Sequence, residues 1–459
     1  MAGLFLSLLL SPMTGFMSTA LAANAVSEYT LDNGMKVVVM EDHRAPVAVA
    51  QVWYRVGSSY EHGGITGVSH VLEHMMFKGT ANHGSNDYSR IISANGGQDN
   101  AFTSSDYTAY YAQIEASRLE VVLELEADRM RHATLDPMEL KKELKVVMEE
   151  RRLRTDDNPR ALTHEQFRAT AYVASPARNP VIGWMNDLKN LDVDDVRSWY
   201  RTWYAPNNAI LVVVGDVQPA QVHALARKHF GPLRAETPPD VKPRVEPEQL
   251  GPRQIEVRQP AKLPYLLMGF KVPSRLTAEK DREWEPYALE VLSEILDGGE
   301  SARFGSNLTR GAEIASSAGV SYDLYDRLRT LFTFIAVPRE GHDIDSLRAA
   351  LLNEVRKVAE EPIPAAELAR VKTRAVASSV YERDSVMGQA VQIGAMEAVG
   401  LGWRELDAYV ERIDAVTAEQ VRAVARKYFV PERMTVAVLD PQPLNDVDKG
   451  PLRGFRGTK

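Results

Sequence analysis

Two imidazoles and a carboxylate stand close together in His70-Val71-Leu72-Glu73-His74. On a helix, residues four apart sit one above the other, so both imidazoles can face a single ion. Glu73 follows His70 by three residues and lies on the same side. It sets a carboxylate beside any water such an ion carries. An ion kept for structure has all its positions filled by protein. One kept for chemistry leaves a position open, so a third protein ligand is expected, and only one. With ten histidines in the chain, a chance match to this spacing is on the order of one per cent. The bland alternative is a solvated face with two histidines. Against it, Val71, Leu72, Met75, Met76 and Phe77 would bury one side of the helix and leave the His-Glu-His side facing a cleft. The chain has no cysteine. That excludes disulfides, thiolate metal sites and a cysteine nucleophile, and leaves histidine as the soft ligand.

These residues need elements to carry them. Val68 to Phe77 reads as a short helix after a glycine-rich loop, Gly63 to Gly67. Tyr29–Leu31 and Lys36–Met40 read as strands flanking an Asp32-Asn33-Gly34 turn, and Val47–Val56 as a third strand. Asn100–Ile114 alternates and reads as one strand; Ala116–His132 has helical apolar spacing. Pro137–Arg154 reads as a second, highly charged helix bearing Glu139, Glu143, Glu149 and Glu150. From composition alone these four form a solvated acidic-basic face, and the third ligand stays open. Ile210–Val214 reads as a buried strand, and strands resume at Gln254–Val257 and Leu266–Val272.

At 459 residues, 44% hydrophobic and 25% charged, the chain can bury a large core. Its net charge is −8 and no basic tract stands out, which gives a nucleic-acid partner no electrostatic support. Leu4–Leu10 is apolar, and the run ends in Ala20-Leu21-Ala22, a small-x-small pattern that suits cleavage before Ala23. The first basic residue is Lys36, so the usual positive start of a signal peptide is missing. Residues 1–22 are read as a signal peptide, and the protein as exported to a bacterial periplasm. No later stretch is long and apolar enough to span a bilayer. Five prolines, Pro238, Pro239, Pro243, Pro247 and Pro252, mark 236–253 as an extended linker between domains 23–235 and 254–459. A weak repeat joins the two. Asp195-Val196-Arg197 precedes Tyr204-Ala205-Pro206 as Gln420-Val421-Arg422 precedes Phe429-Val430-Pro431, and an apolar strand follows each. The expected fold class is α+β, with two homologous domains, each a mixed β-sheet covered by helices.

The pattern HxxEH, inverted relative to HExxH, marks the inverzincins. Residues Gly67-Val68-Ser69-His70-Val71-Leu72-Glu73-His74-Met75-Met76-Phe77-Lys78-Gly79-Thr80 resemble the pitrilysin, insulin-degrading enzyme and mitochondrial processing peptidase family. The resemblance runs from about Tyr29 to Pro443 and fits the short, single-shell bacterial type. It implies one half of a clamshell peptidase holding one Zn2+ per chain. In the family a glutamate follows the second histidine after about 75 residues, which points to Glu150 as third ligand; Glu149 lies about 100° away on an ideal helix. A further family carboxylate, seven residues earlier, corresponds to Glu143. Gly96-Gly97-Gln98-Asp99-Asn100-Ala101-Phe102-Thr103 is similar to the family's substrate-binding edge strand, which implies peptide contacts at Asn100, Ala101 and Phe102. After the glycine-rich Gly298–Phe304 segment, Arg310 fits the arginine of a substrate-binding arginine-tyrosine pair. The tyrosine position holds Ser317, and Tyr322 is out of register.

The resemblance implies zinc-dependent hydrolysis of extended, unstructured peptides, with Glu73 as general base and Glu143 supporting a ligand. Since the family encloses substrate between two shells, a dimer is expected. It is formed either with a like chain or with a homologous chain that supplies the arginine-tyrosine pair. The alternatives are a non-catalytic structural or chaperone-like subunit of the same fold, and a hydrolase of another class such as a phosphoesterase. The complete motif argues against the first. The lack of a two-metal carboxylate cluster argues against the second.

Overall fold

The computed structural model describes residues 26–444. The segment read as a signal peptide, 1–22, lies outside the described residues. Strands β1 (Val26–Thr30) and β2 (Lys36–Glu41) pair antiparallel around the expected turn. With β3 (Val47–Tyr54), β4 (Gln98–Thr103), β5 (Thr108–Glu115) and β6 (Ala209–Gly215) they form a sheet in the order β1-β2-β6-β3-β5-β4. A second sheet is built from β7 (Arg253–Pro260), β8 (Tyr265–Val272), β9 (Ala315–Ser321), β10 (Thr330–Pro338) and β11 (Met434–Gln442), in the order β7-β11-β8-β10-β9. The β2–β6 and β7–β11 pairings are parallel and the rest antiparallel. Leaving β1 aside, the two sheets have the same order and the same strand senses. The repeat visible in the sequence is the segment that feeds β6 and β11. Each copy is a helix, Val193–Trp203 or Ala418–Tyr428, opened by a capping box and followed by a short turn from Pro206 or Pro431. The protein is an α+β chain of two homologous helix-covered sheets.

Both faces of each sheet are covered, which is why the central strands read as near-continuous apolar runs. On one face, Val37, Val39, Ala50, Val52 and Tyr54 share a core with Val71, Leu72 and Leu123. On the other, Val38, Val49, Trp53 and Val212 meet Ala390 and Ile393 of the Val386–Val399 helix, which comes from the second half. The exchange is reciprocal. The Pro159–Ala171 helix of the first half lays Phe167 and Ala171 against Leu267, Leu331 and Ala437 of the second sheet. The stretch 234–252 forms no helix or strand. It is nonetheless fastened, because the Glu246 carboxylate accepts the N–H groups of Val173, Ala174 and Ser175 at 2.9–3.0 Å and an ammonium hydrogen bond from Lys271 at 2.6 Å.

Two expectations need correction. Asn100–Ile114 is not one strand but most of a hairpin, β4 and β5, broken at Ser104–Tyr107. The Ser104 hydroxyl accepts from Asp106 N at 3.2 Å, and Ser104 N donates to the Tyr107 carbonyl at 2.8 Å. Alternation continues through both arms, so periodicity conceals the turn that the Ser-Ser-Asp composition makes. The hairpin tip is also held by the second half, since Arg327 bonds Asp106 and Ser59 and stacks over Tyr60. The charged helix is α-helical over Pro137–Arg151 and widens into a π-turn at Arg152–Asp156.

The helix from the second half supports the edge strand at one remove. Gly394 on that helix lies so close to Trp53 that a Cβ would stand 2.1 Å from the indole. Trp53 in turn packs edge-on against Phe102 of β4, with ring centroids 5.3 Å apart. Gly394→Ala in an open helix would gain about 1 kcal/mol. Here overpacking should reverse the sign and cost about 1–3 kcal/mol, read as a lower urea midpoint. A raised midpoint would show that the indole can yield.

Candidate metal centre

The Val68–Met75 helix is placed by the loop before it. Gly67 has φ +88°, and a Cβ there would sit 2.7 Å from the Ile182 carbonyl, so this position needs glycine. Two carboxylates hold the loop. Glu61 accepts Gly67 N at 2.7 Å and Ser69 N at 2.9 Å; Asp187 accepts Gly64 N, Thr66 N and the Thr66 hydroxyl. Burial pushes the Glu61 carboxyl up to about 7 against the pull of those N–H donors. Val68, Val71, Leu72 and Met75 are fully buried beneath the helix. The Pro137–Arg151 helix crosses nearby, opened by Asp136, whose side chain accepts from Met138 N and Glu139 N.

Between these two helices three donors converge. Glu150 Oε2 lies 3.7 Å from His70 Nε2 and 3.5 Å from His74 Nε2. All three ligand atoms fall within 4.8 Å of one another, the only such grouping among the described residues. Those separations are too long for good hydrogen bonds. They match ligands about 2.1 Å from one tetrahedral ion, which stand about 3.4 Å apart. The donor set therefore fits a divalent metal. Burial, with His74 and Arg154 nearby, lowers the His70 pKa to about 3, so its ring is neutral and has a lone pair to give. His74 Nδ1 lies 3.2 Å from Glu143 Oε2, and Lys78 Nζ takes the other Glu143 oxygen at 2.9 Å. An Nδ1–H that donates to Glu143 leaves Nε2 free for a metal.

Glu73 stands apart from the three donors. Its Oε2 accepts the Thr103 hydroxyl at 2.5 Å, and burial raises its carboxyl above the ordinary value. Glu149 is 58% exposed and paired with Arg152, whereas Glu150 is 18% exposed. His70, Glu73, His74 and Glu150 line a cavity of about 1350 Å3 that is also bordered by Asn100–Thr103 of β4. Among the described residues strand β4 pairs only with β5, so its outer edge is free there. Asn100, Ala101 and Phe102 thus lie on a free edge beside the three donors.

Arg310 is not brought to this cavity. It lies in the second half on the Phe304–Gly311 turn and bonds the Glu300 carbonyl. Ser317 is exposed on β9 opposite Val337. Tyr322 donates its hydroxyl to the Pro273 carbonyl at 2.8 Å and stacks on Phe332, so that hydroxyl is already engaged. Thr103, Lys78 and Arg154 were not singled out from the sequence. Thr103 and Lys78 lie inside the two family-like segments, and Arg154 follows Glu150 by four residues on the same helical face and bonds it at 2.8 Å.

The family model described as Insulinase (Peptidase family M16) matches residues 36–184, and the one described as Peptidase M16 inactive domain matches 190–375. A Helicobacter pylori protein named zinc protease PqqE is 33% identical over 420 residues, 90% of this chain and 92% of that one. The crystal structure of a protease from Helicobacter pylori superposes with a TM-score of 0.85 at 30% identity, over 91% of this chain and 100% of that one. The periplasmic protease PqqL from Escherichia coli shares the fold, with a TM-score of 0.77 at 17% identity; the match takes in 93% of this chain and 49% of that longer one. His70, Glu73, His74, Glu143 and Glu150 all fall within the first family match.

Metal affinity should separate the carboxylates. Glu150→Gln is expected to weaken zinc binding by more than about 100-fold, and Glu143→Gln by about 10–100-fold, the range for a residue that supports a ligand. Glu149→Gln should change it by less than about two-fold, given its exposure. Competition with a chromogenic chelator measures all three. A larger loss in the Glu149 variant would reverse the assignment.

Proposed function

Because the chain belongs to the insulinase (M16) family of peptidases, we propose that it is a zinc metalloendopeptidase acting on extended, unstructured peptides. The observation that carries this is the convergence of His70, His74 and Glu150 beside Glu73, in a cavity bordered by a free strand edge. Zinc, when bound by those three side chains, supplies a Lewis acid that polarises the scissile carbonyl and eases ionisation of water. The chain's own residues do the rest. Neutral His70 presents a lone pair, and Glu143 orients His74. Glu73 takes a proton from the attacking water and returns it to the departing amine. Its raised carboxyl pKa brings it nearer to the value a base needs at neutral pH. The Thr103 hydroxyl holds Glu73 in place and ties it to the end of β4. A peptide that adds to β4 needs free backbone groups, so folded proteins would have to unfold first.

The model described as an inactive domain covers only 190–375, outside the motif, and so does not favour a non-catalytic reading. For the partner, we infer a dimer, and specifically one with a homologous chain that carries both arginine and tyrosine. The support is that Ser317 replaces the tyrosine and the Tyr322 hydroxyl is engaged elsewhere. No helix among the described residues is long and apolar enough to cross a membrane. Export to a bacterial periplasm rests on the leader, and N-terminal sequencing of the native protein should read Ala23 first.

Cleavage of an unstructured fluorogenic peptide, with and without chelator and restored zinc, tests the central reading. Glu73→Gln should keep near-stoichiometric zinc while its rate falls by about two to four orders of magnitude. Adding a homologue with the arginine-tyrosine pair should raise the wild-type rate. A Glu73→Gln chain that turned over at the wild-type rate would remove the assigned base, and a rate indifferent to any homologue would remove the mixed dimer.

A further inference from the structure

The cavity has a wall with no part in the chemistry above. It runs from Ala161 through His164, Glu165 and Arg168 to Arg178–Ile182. Its charges can be assigned one by one. Of the cavity's carboxylates, Glu165 is bound by buried Arg151 through two hydrogen bonds of 2.7 and 2.8 Å, and Glu149 by Arg152 at 2.7 Å. Glu150 faces the two histidines and Arg154, and Glu73 is bonded to Thr103. Two of the three arginines lining the cavity have no such counterpart. Arg168 donates from Nε and Nη2 to the Ala177 carbonyl at 3.2 and 2.9 Å, and Arg178 donates from Nη1 to the Val173 carbonyl at 3.2 Å. Among the described residues no carboxylate forms an ion pair with either. Carbonyls orient a guanidinium without cancelling its charge. Asp326, which Arg168 also influences, is buried beside Asp323, and both effects raise its carboxyl pKa.

This wall is also rigid. The 173–175 backbone is fastened to Glu246, which is itself bonded by Lys271, and Ser175 Oγ accepts Ala177 N at 3.3 Å. Arg168 further lies over the Tyr172 ring at 6.0 Å. Two guanidinium groups held in place, with donors to spare and open to a cavity, form a receptor for a carboxylate. On the premise that the cavity is a peptidase site, we propose that the Arg168–Arg178 wall selects peptides bearing a carboxylate a few residues from the scissile bond. Two sources share that chemistry, an acidic side chain and a free C-terminus.

The test separates these sources, and separates the wall from the reaction. Full-length chain carrying Glu73→Gln is loaded with zinc. It is titrated into fluorescein-labelled unstructured peptides of one length. These are a glutamine-only peptide with an amidated C-terminus, the same peptide with glutamate scanned through each position, and the same peptide with a free C-terminal acid. Anisotropy gives Kd, and the wild-type chain gives KM and kcat on the same set. One carboxylate-bearing series should bind about ten-fold tighter than the neutral peptide, as expected for a charge-assisted pair. The gain should appear in KM rather than kcat and shrink at high salt. Arg178→Gln should remove most of it, and Arg178→Glu should favour a lysine peptide instead. Arg178 is exposed, so its variants test the wall even where Arg168→Gln disturbs the loop. Equal affinity for all peptides, or a preference that survives Arg178→Glu, overturns the proposal. A binding preference without any hydrolysis by wild type would sink the peptidase reading and leave the wall standing. Hydrolysis without preference would do the reverse.

Discussion

Two imidazoles and two carboxylates, Glu73 and Glu150, repel or desolvate one another when gathered in a partly dry cleft, so the backbone carrying them must be fixed from outside. That constraint organises the first half of the protein. Glu61 and Asp187 satisfy the N–H groups of the loop ahead of the motif helix. The buried apolar side of that helix determines which side faces the cavity. Glu143 and Lys78 then hold His74 from behind. Arg129, buried against Glu126 and stacked on Phe77, Tyr88 and Tyr110, supports the floor beneath. Remove any of these supports and the donors can move apart to recover the hydration that gathering them in the cleft costs.

How much of this was legible depends on how local each signal is. His70, Glu73 and His74 lie within five residues, so their shared face follows from helix geometry alone. Glu150 does not follow in that way. Its helix offers four glutamates, and only the family spacing distinguishes one of them. Thr103 and Arg327 were invisible because their partners, Glu73 and Asp106, are 30 and 221 residues away in sequence. The β4–β5 turn was missed for the opposite reason, since the alternation that marks a strand continues unbroken through a tight hairpin. The duplicated fold was visible only where it is most constrained, in the capped helix, proline turn and strand at Val193–Gly215 and Ala418–Gln442.

The exchange of helices between halves left no sequence signal at all. Phe167 and Ala390 are ordinary apolar residues on amphipathic helices, and nothing local says that each packs on the other half's sheet. The consequence is mechanical. The hairpin carrying β4 is gripped at its tip by Arg327 and supported behind Phe102 by Trp53 and the Val386–Val399 helix. A strand proposed to accept a peptide cannot drift, because each residue of slip exchanges the faces its side chains occupy. The second half, which lacks the motif, therefore still shapes the site.

Among the described residues both sheets end in an open edge, β4 in one and β9 in the other. Open edges invite pairing with any passing strand, and proteins usually blunt them with charge or cover. Strand β4 begins Gln98-Asp99-Asn100, polar enough to discourage self-association, and it borders the cavity. Strand β9, Ala315–Ser321, is made of small residues and carries Ser316 and Ser317 exposed. The duplication has thus kept two equivalent edges and given them unequal chemistry. One edge adjoins donors suited to hydrolysis, and the other is a run of small residues with no ionisable group. On the proposed reading, such an asymmetric shell is completed by an unlike one.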